Sequence, residues 1–171
     1  MPQHWKVSAS GEIHHGTLES QGRVFDVCLG RSGIRAEKRE GDGATPGGVF
    51  RLERMLWRAD RLARPKTRLP AISILPHMGW SDDPANFRYN RPVNLPWPAS
   101  AECLWRPDHL YDLVLVTSHN QNPVVPGAGS AVFIHLQRDD KGPTAGCIAL
   151  QLPDLLHLLE SAGSETEIHI G

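Results

Sequence analysis

The chain has 171 residues, a formal net charge of −1 and three cysteines. That length suffices for one domain with a proper core, spanning residues 1–171. The near-zero charge argues against nucleic acid or an anionic membrane surface as partner, and no stretch has the apolar length of a bilayer span, so membrane insertion is not expected. The thiols, Cys28, Cys103 and Cys147, include no close pair and no CxxC. A disulfide framework is therefore not expected, and a reducing compartment is. The opening "MPQHWKVSASGEIHHG" has no basic stretch followed by an apolar one, unlike a secretory signal. This directs the expectation to the cytoplasm, with the periplasm or cell envelope as the alternative if an export signal was removed.

In chain order the pattern is mostly β. "WKVSAS", "EIHHGTLES" and "RVFDVCLG" alternate or carry β-branched residues, with Gly and Ser between them. Residues 37–48, "EKREGDGATPGG", form a first long loop. "VFRLERMLW" alternates again, with Val49, Arg51 and Glu53 on one side and Phe50 and Leu52 on the other. Residues 76–107 form a second long loop, rich in Pro, Asn and Asp but carrying Trp80, Phe87, Tyr89, Trp97 and Trp105. So many aromatics argue against disorder. A loop of this length reads as an ordered lid or cleft wall, or as an excursion covering the sheet edge. "LYDLVLVTS" and "SAVFIHL" are short, apolar and read as buried strands. One helix is expected near the C-terminus, opened by Pro153, running through "DLLHLLESAG" and stopped by Gly163. "TEIHIG" reads as the last strand.

The chemistry concentrates in "FIHLQRDDKGPTAGCIAL". His135 lies near a strand end and Cys147 starts the next apolar run after a turn. If these runs are neighbouring strands, both side chains share one rim of the sheet. An imidazole in reach draws the thiol proton and gives a thiolate–imidazolium pair, the competent nucleophile for an acyl carbon. Gly146 permits close approach of substrate to backbone, and the N–H groups around Thr144 to Cys147 are candidates for an oxyanion hole. On residue types alone, a buried core thiol and a structural histidine fit as well. A zinc set of His119, His135 and Cys147 lacks any HxxxH or CxxC pair. The P-loop and dinucleotide fingerprints are absent.

Taken whole, "GSAVFIHLQRDDKGPTAGCIAL" resembles the catalytic signature of the L,D-transpeptidase catalytic-domain family of YkuD type. There a His near a strand end precedes a [Ser/Thr]-x-Gly-Cys turn, which maps onto His135, Thr144, Gly146 and Cys147. "KREGDGATPGGVF" is similar to the family's upstream TP-x-G segment, and "GWSDDPANFRYNRPV", "LYDLVLV" and "NPVVPGAGSA" look like a branch of small bacterial members. The resemblance implies a mainly β, sandwich-like domain with a long aromatic and Pro-rich insertion and one C-terminal helix before the last strand. It also implies a cysteine that attacks the L-centre carbonyl of diaminopimelate in a peptidoglycan tetrapeptide or muropeptide and expels D-Ala. An amine acceptor then gives a cross-link or a D-amino-acid exchange, and water gives L,D-carboxypeptidase activity. No metal and no organic cofactor is implied. With a cytoplasmic setting, the carboxypeptidase direction, murein recycling, is the expectation. A non-catalytic wall-peptide binding module is the further alternative.

The chain departs from the family pattern at three positions: Ala145 where His is usual, Leu136 where Gly often follows the catalytic His, and Ala149 where Arg often follows the Cys. The anchor for a substrate carboxylate is therefore sought at Arg138, Lys141, Arg88 or Arg91. His119, which ends the run "VTSH", is a candidate for orienting His135 or touching substrate, with a plain strand end as the alternative. Trp80 and Tyr89 of the second loop are candidate cleft contacts.

Overall fold

Each strand predicted from alternation is present in the computed structural model, which describes residues 2–171. In chain order the elements begin with β1 (His4–Ser10), β2 (Glu12–Ser20), β3 (Arg23–Cys28), β4 (Ile34–Arg35), β5 (Thr45–Pro46) and β6 (Gly48–Trp57). Then come β7 (Ala71–Ser73), β8 (Met78–Ser81), β9 (Pro92–Asn94), β10 (Ala101–Cys103) and β11 (Leu113–Thr117). The chain closes with β12 (Phe133–Leu136), β13 (Ile148–Leu150), α1 (Leu152–Leu159) and β14 (Glu167–Ile170).

The main sheet runs β11-β12-β13-β3-β2-β1-β14-β6-β7, and β11 also pairs with β6. That extra pairing makes one sheet fold back on itself, so the sandwich-like packing is made by a single curled sheet. The inward-facing residues form the first core: Trp5 and Val7 from β1, Leu18 from β2, Phe25 and Val27 from β3, and Leu113 and Leu115 from β11. Helix α1 adds Leu155, Leu158 and Leu159 to it. Pro at its first turn suits a position whose N–H has no helical partner. The helix ends at Leu159, before Gly163, whose N–H is taken by Thr166 Oγ1 at 3.0 Å.

The alternation read in β6 holds through Leu52 and then changes phase. Thr117 pairs with Leu52 but Val116 with Arg54, so Glu53 is an extra residue, a bulge. The shift of one position turns Met55 into the first core and Leu56 to the opposite face. That face holds the second core: Leu56, Val114, Val116 and Phe133 from the sheet, packed against Ile74, Trp80, Leu104 and Tyr111. The 76–107 segment is therefore ordered. Its strands form a small sheet in the order β10-β8-β9. Trp80, 1% exposed, is its anchor, edge-on to Phe133 with ring centroids 5.0 Å apart. Its indole N–H donates to Asn90 Oδ1 at 2.9 Å.

Candidate active site

Strands β12 and β13 are parallel neighbours, with His135 opposite Ala149 and Ile134 opposite Ile148. Side chains alternate between faces in a strand. Ile134, Leu136, Ile148 and Leu150 point into the first core. Phe133, His135, Cys147 and Ala149 consequently share the other face, and Cys147 packs against the second core. Cys147 stands level with Phe133, whose N–H donates to Sγ at 3.3 Å. His135 lies one step further along that face, the diagonal neighbour of Cys147. Both line a cleft of about 480 Å³. Ala149, level with His135 in the register, lines the same cleft.

Burial sets the charge state of this pair. His135 is 7% exposed, and desolvation pulls its imidazole down to a pKa of about 4. Its Nδ1–H donates to Leu136 C=O at 2.7 Å, which leaves Nε2 as the acceptor. Desolvation pushes the Cys147 thiol up to about 12, reinforced by the negative charge of Glu102. The S–H donates to Ala131 C=O at 3.1 Å. The resting pair is thus neutral thiol and neutral imidazole, and not the ion pair expected from the residue types.

The turn before Cys147 is stitched by its own side chain. Thr144 Oγ1 donates to Cys147 C=O at 2.6 Å and accepts from Gly146 N–H at 3.1 Å. Thr144 N–H donates to Leu29 C=O at 3.0 Å. This narrows the candidates for an oxyanion hole among the N–H groups around Thr144 to Cys147. Two are consumed by the fold, and those of Ala145 and Cys147 are the donors the turn does not engage. Gly146, at φ +146°, lies where a Cβ would come within 2.7 Å of Ala44 C=O.

That contact brings in the first loop. Lys38 Nζ pairs with Asp42 Oδ1 at 2.5 Å, both side chains largely buried, and Lys38 faces the cleft. Asp42 also accepts from the N–H groups of Arg39 and Ala44, each at 2.8 Å. Glu40 accepts from Ser130 Oγ at 2.8 Å and from Ser130 N–H at 3.0 Å. It also accepts from Tyr89 O–H at 3.1 Å. Tyr89 in turn accepts from Gly129 N–H at 3.0 Å.

Tyr89 is therefore a buried strut joining three segments, not a cleft contact. Trp80 is likewise core, and Arg88 donates to Pro92 C=O at 2.8 Å beside a separate groove bounded by Val93 and Trp97. His119 does not reach His135. Its Nε2–H donates to Ala128 C=O at 3.0 Å and its ring is edge-on to Phe50, so it ties down the 120–130 segment. Arg91 is held by Gln121, and Lys141 is not in the cleft lining. Of the expected anchors only Arg138 borders the cleft, paired with Asp140 at 2.8 Å.

Sequence reasoning missed Lys38, Glu102, Arg106 and Tyr111, all of which line the cleft. Tyr111 O–H donates to Glu102 Oε1, and burial raises the pKa of both groups. Tyr111 also presents its ring edge-on to His135, centroids 5.2 Å apart. Arg106 forks onto Asp108 at 2.8 and 2.7 Å and lies over the Tyr111 ring. The one signal in the sequence was Tyr111, a hydroxyl-bearing ring just ahead of the apolar run "LVLV".

A closed, curled sheet thus carries a Cys and a His as diagonal neighbours on one face, both lining the same cleft. The chain belongs to the family of the YkuD L,D-transpeptidase catalytic domain, whose family model matches residues 13–170. It is also similar to the crystal structure of Mycobacterium tuberculosis L,D-transpeptidase 1, with 15% sequence identity and a TM-score of 0.41. That match covers 98% of this chain and 62% of the other, so this chain spans less than two thirds of the mycobacterial chain. The search of curated proteins returned no match.

Proposed function

We propose that this chain is a cysteine acyl-transferase acting on the L,D bond between diaminopimelate and D-Ala of peptidoglycan tetrapeptides. The observation that carries it is the arrangement of Cys147 and His135 on one face of the β12–β13 pair, with Nδ1 of the imidazole tied to Leu136 C=O. The S–H rotates from Ala131 towards Nε2, which takes its proton as sulfur bonds to the diaminopimelate carbonyl carbon. The N–H groups of Ala145 and Cys147 receive the developing oxyanion. Collapse breaks the C–N bond, and the imidazolium returns its proton to the departing D-Ala amine. The thioester remains on Cys147. Water, losing a proton to His135, then releases the tripeptide and restores the thiol.

Hydrolysis is the favoured fate. Water is the abundant acceptor in the cytoplasm and needs no second binding site, whereas cross-linking needs a second peptide held beside the thioester. Arg138 and Arg31 at the cleft suit the substrate carboxylates. The setting that fits this direction is the cytoplasm, on recycled muropeptides. Recovery of the native protein from the periplasm on cell fractionation would count against that setting.

The test is intact mass after exposure to a carbapenem-type β-lactam. An adduct is expected on the wild type, Cys28→Ala and Cys103→Ala, and none on Cys147→Ala. A purified tetrapeptide should then lose D-Ala, with tripeptide as the main product even when an amine acceptor is added. An adduct that persists in Cys147→Ala would sink the acyl-enzyme scheme. A dominant amine-transfer product would make the enzyme a transpeptidase.

A further inference from the structure

Far from the cleft in sequence, strands β1 and β14 run parallel, with His4 opposite Glu167 and Lys6 opposite His169. Trp5, Val7, Ile168 and Ile170 point into the core. By alternation, His4, Glu167 and His169 stand together on the outer face, where the register and not chance side-chain reach sets their spacing. His4 Nδ1 is 3.4 Å from Glu167 Oε2, and His169 Nε2 is 3.3 Å from the same oxygen. One ligand atom from each residue lies within 4.8 Å of the other two. Ligands bound at 2.0–2.1 Å on a tetrahedral ion are about 3.3–3.4 Å apart, so two of the three edges already have the length a zinc site requires. The other carboxylate oxygen, Oε1, lies 3.7 Å from the exposed Arg51 guanidinium, so Oε2 is the oxygen that faces the histidines. The groove beside the trio, lined by Gly48 and Val49, is open and leaves room for water as fourth ligand.

We propose that His4, Glu167 and His169 form a binding site for a divalent transition-metal ion, zinc foremost, which clasps the first strand to the last. Two imidazoles and one carboxylate are the donors that zinc accepts in sites with an open position, while calcium and magnesium prefer all-oxygen sets. A second cluster, Glu12, His14 and His15, is looser, with one edge of 3.9 Å and Glu12 at 75% exposure. It serves as the internal control. The ion sits on two elements that only meet in the folded state, so binding stabilises the fold and is not needed for the chemistry at Cys147.

Zinc titration of the full chain by calorimetry, with parallel thermal melts, tests the site. One equivalent should bind to the wild type and raise the melting midpoint by roughly 5–10 °C at a hundredfold excess over Kd. His4→Ala and His169→Ala should each lose that equivalent and the shift, while melting near the wild type without zinc. His15→Ala should retain both. No zinc-dependent shift in the wild type would overturn the proposal. So would an equivalent that survives His169→Ala or disappears in His15→Ala.

Discussion

Cys147 and His135 are kept uncharged by the same cause, removal from water, acting in opposite directions on their proton affinities. The folded imidazole titrates near 4, below its ordinary 6.5. Between pH 6.5 and about 4 the unfolded chain takes up a proton that the folded chain refuses, so stability is present above 6.5 and falls on acidification. The loss amounts to roughly 3 kcal/mol over that window. The thiol, raised from 9.0 to about 12, works the other way: above pH 9 the unfolded chain releases a proton that the folded chain retains, and stability falls as pH rises. Thermal melts of wild type and His135→Gln across pH 4 to 7 check the first half. The variant, with no titrating group there, should give the flatter profile, and coincident slopes would mean that the imidazole is not desolvated. The same burial predicts slow alkylation of Cys147 by neutral reagents at pH 7, even with the nucleophilic role proposed for it.

At the scale of elements, the site depends on how the 143–147 turn leans on the first loop. Gly146 occupies a backbone conformation that L side chains rarely adopt, and its missing Cβ leaves room for Ala44 C=O. Gly146→Ala meets backbone, which has no rotamer to change. We expect a loss of about 1–3 kcal/mol and a larger fall in activity, because any relief moves Cys147 away from the diagonal of His135. Comparing melting midpoint with acylation rate for this variant measures both. Full activity in the variant would show that the turn and the loop do not set the thiol. The insertion acts at the same scale: Trp80, Tyr111 and Phe133 weld the small sheet to the floor of the cleft. Glu102 reaches the cleft on β10, and Arg106 just beyond it, on that weld.

At the largest scale, the decisive feature is that the first and last strands, β1 and β14, pair. β14 pairs with β1 on one side and β6 on the other. Trp5 is fully buried at that seam, in the first core. Trp5→Ala should cost about 3–5 kcal/mol, read as a lower denaturation midpoint. A surface-like cost below 1 kcal/mol would mean that the seam contributes little to the fold. Pairings this distant in sequence also predict slow folding, since loop closure precedes the contacts that reward it.

Much of this fold was legible in advance because its signals are local. Alternating residues placed β1, β2, β3, β6 and β14, unbroken apolar runs marked β11 and β12 as buried on both faces, and a proline and a leucine stripe marked α1. The turn "PTAGC" after the strand bearing His135 drew attention to the thiol, but residue types alone left a buried core thiol equally open, and only the resemblance of the whole segment to a family signature favoured the nucleophile. What the sequence could not carry is anything decided by which distant residues become neighbours. The Glu53 bulge exists because β11 lies beside β6. Trp80 and Tyr89, aromatics of the second long loop, became core and strut because Trp80 packs onto Phe133 and Tyr89 bonds Glu40 and Gly129, residues far away in the chain. Glu102, Tyr111 and Lys38 come to the cleft from three separate segments. The charge state of Cys147 and His135 was read wrongly from residue types, because a pKa depends on how much water the surrounding fold excludes. That quantity belongs to tertiary packing, not to the identity of the residue.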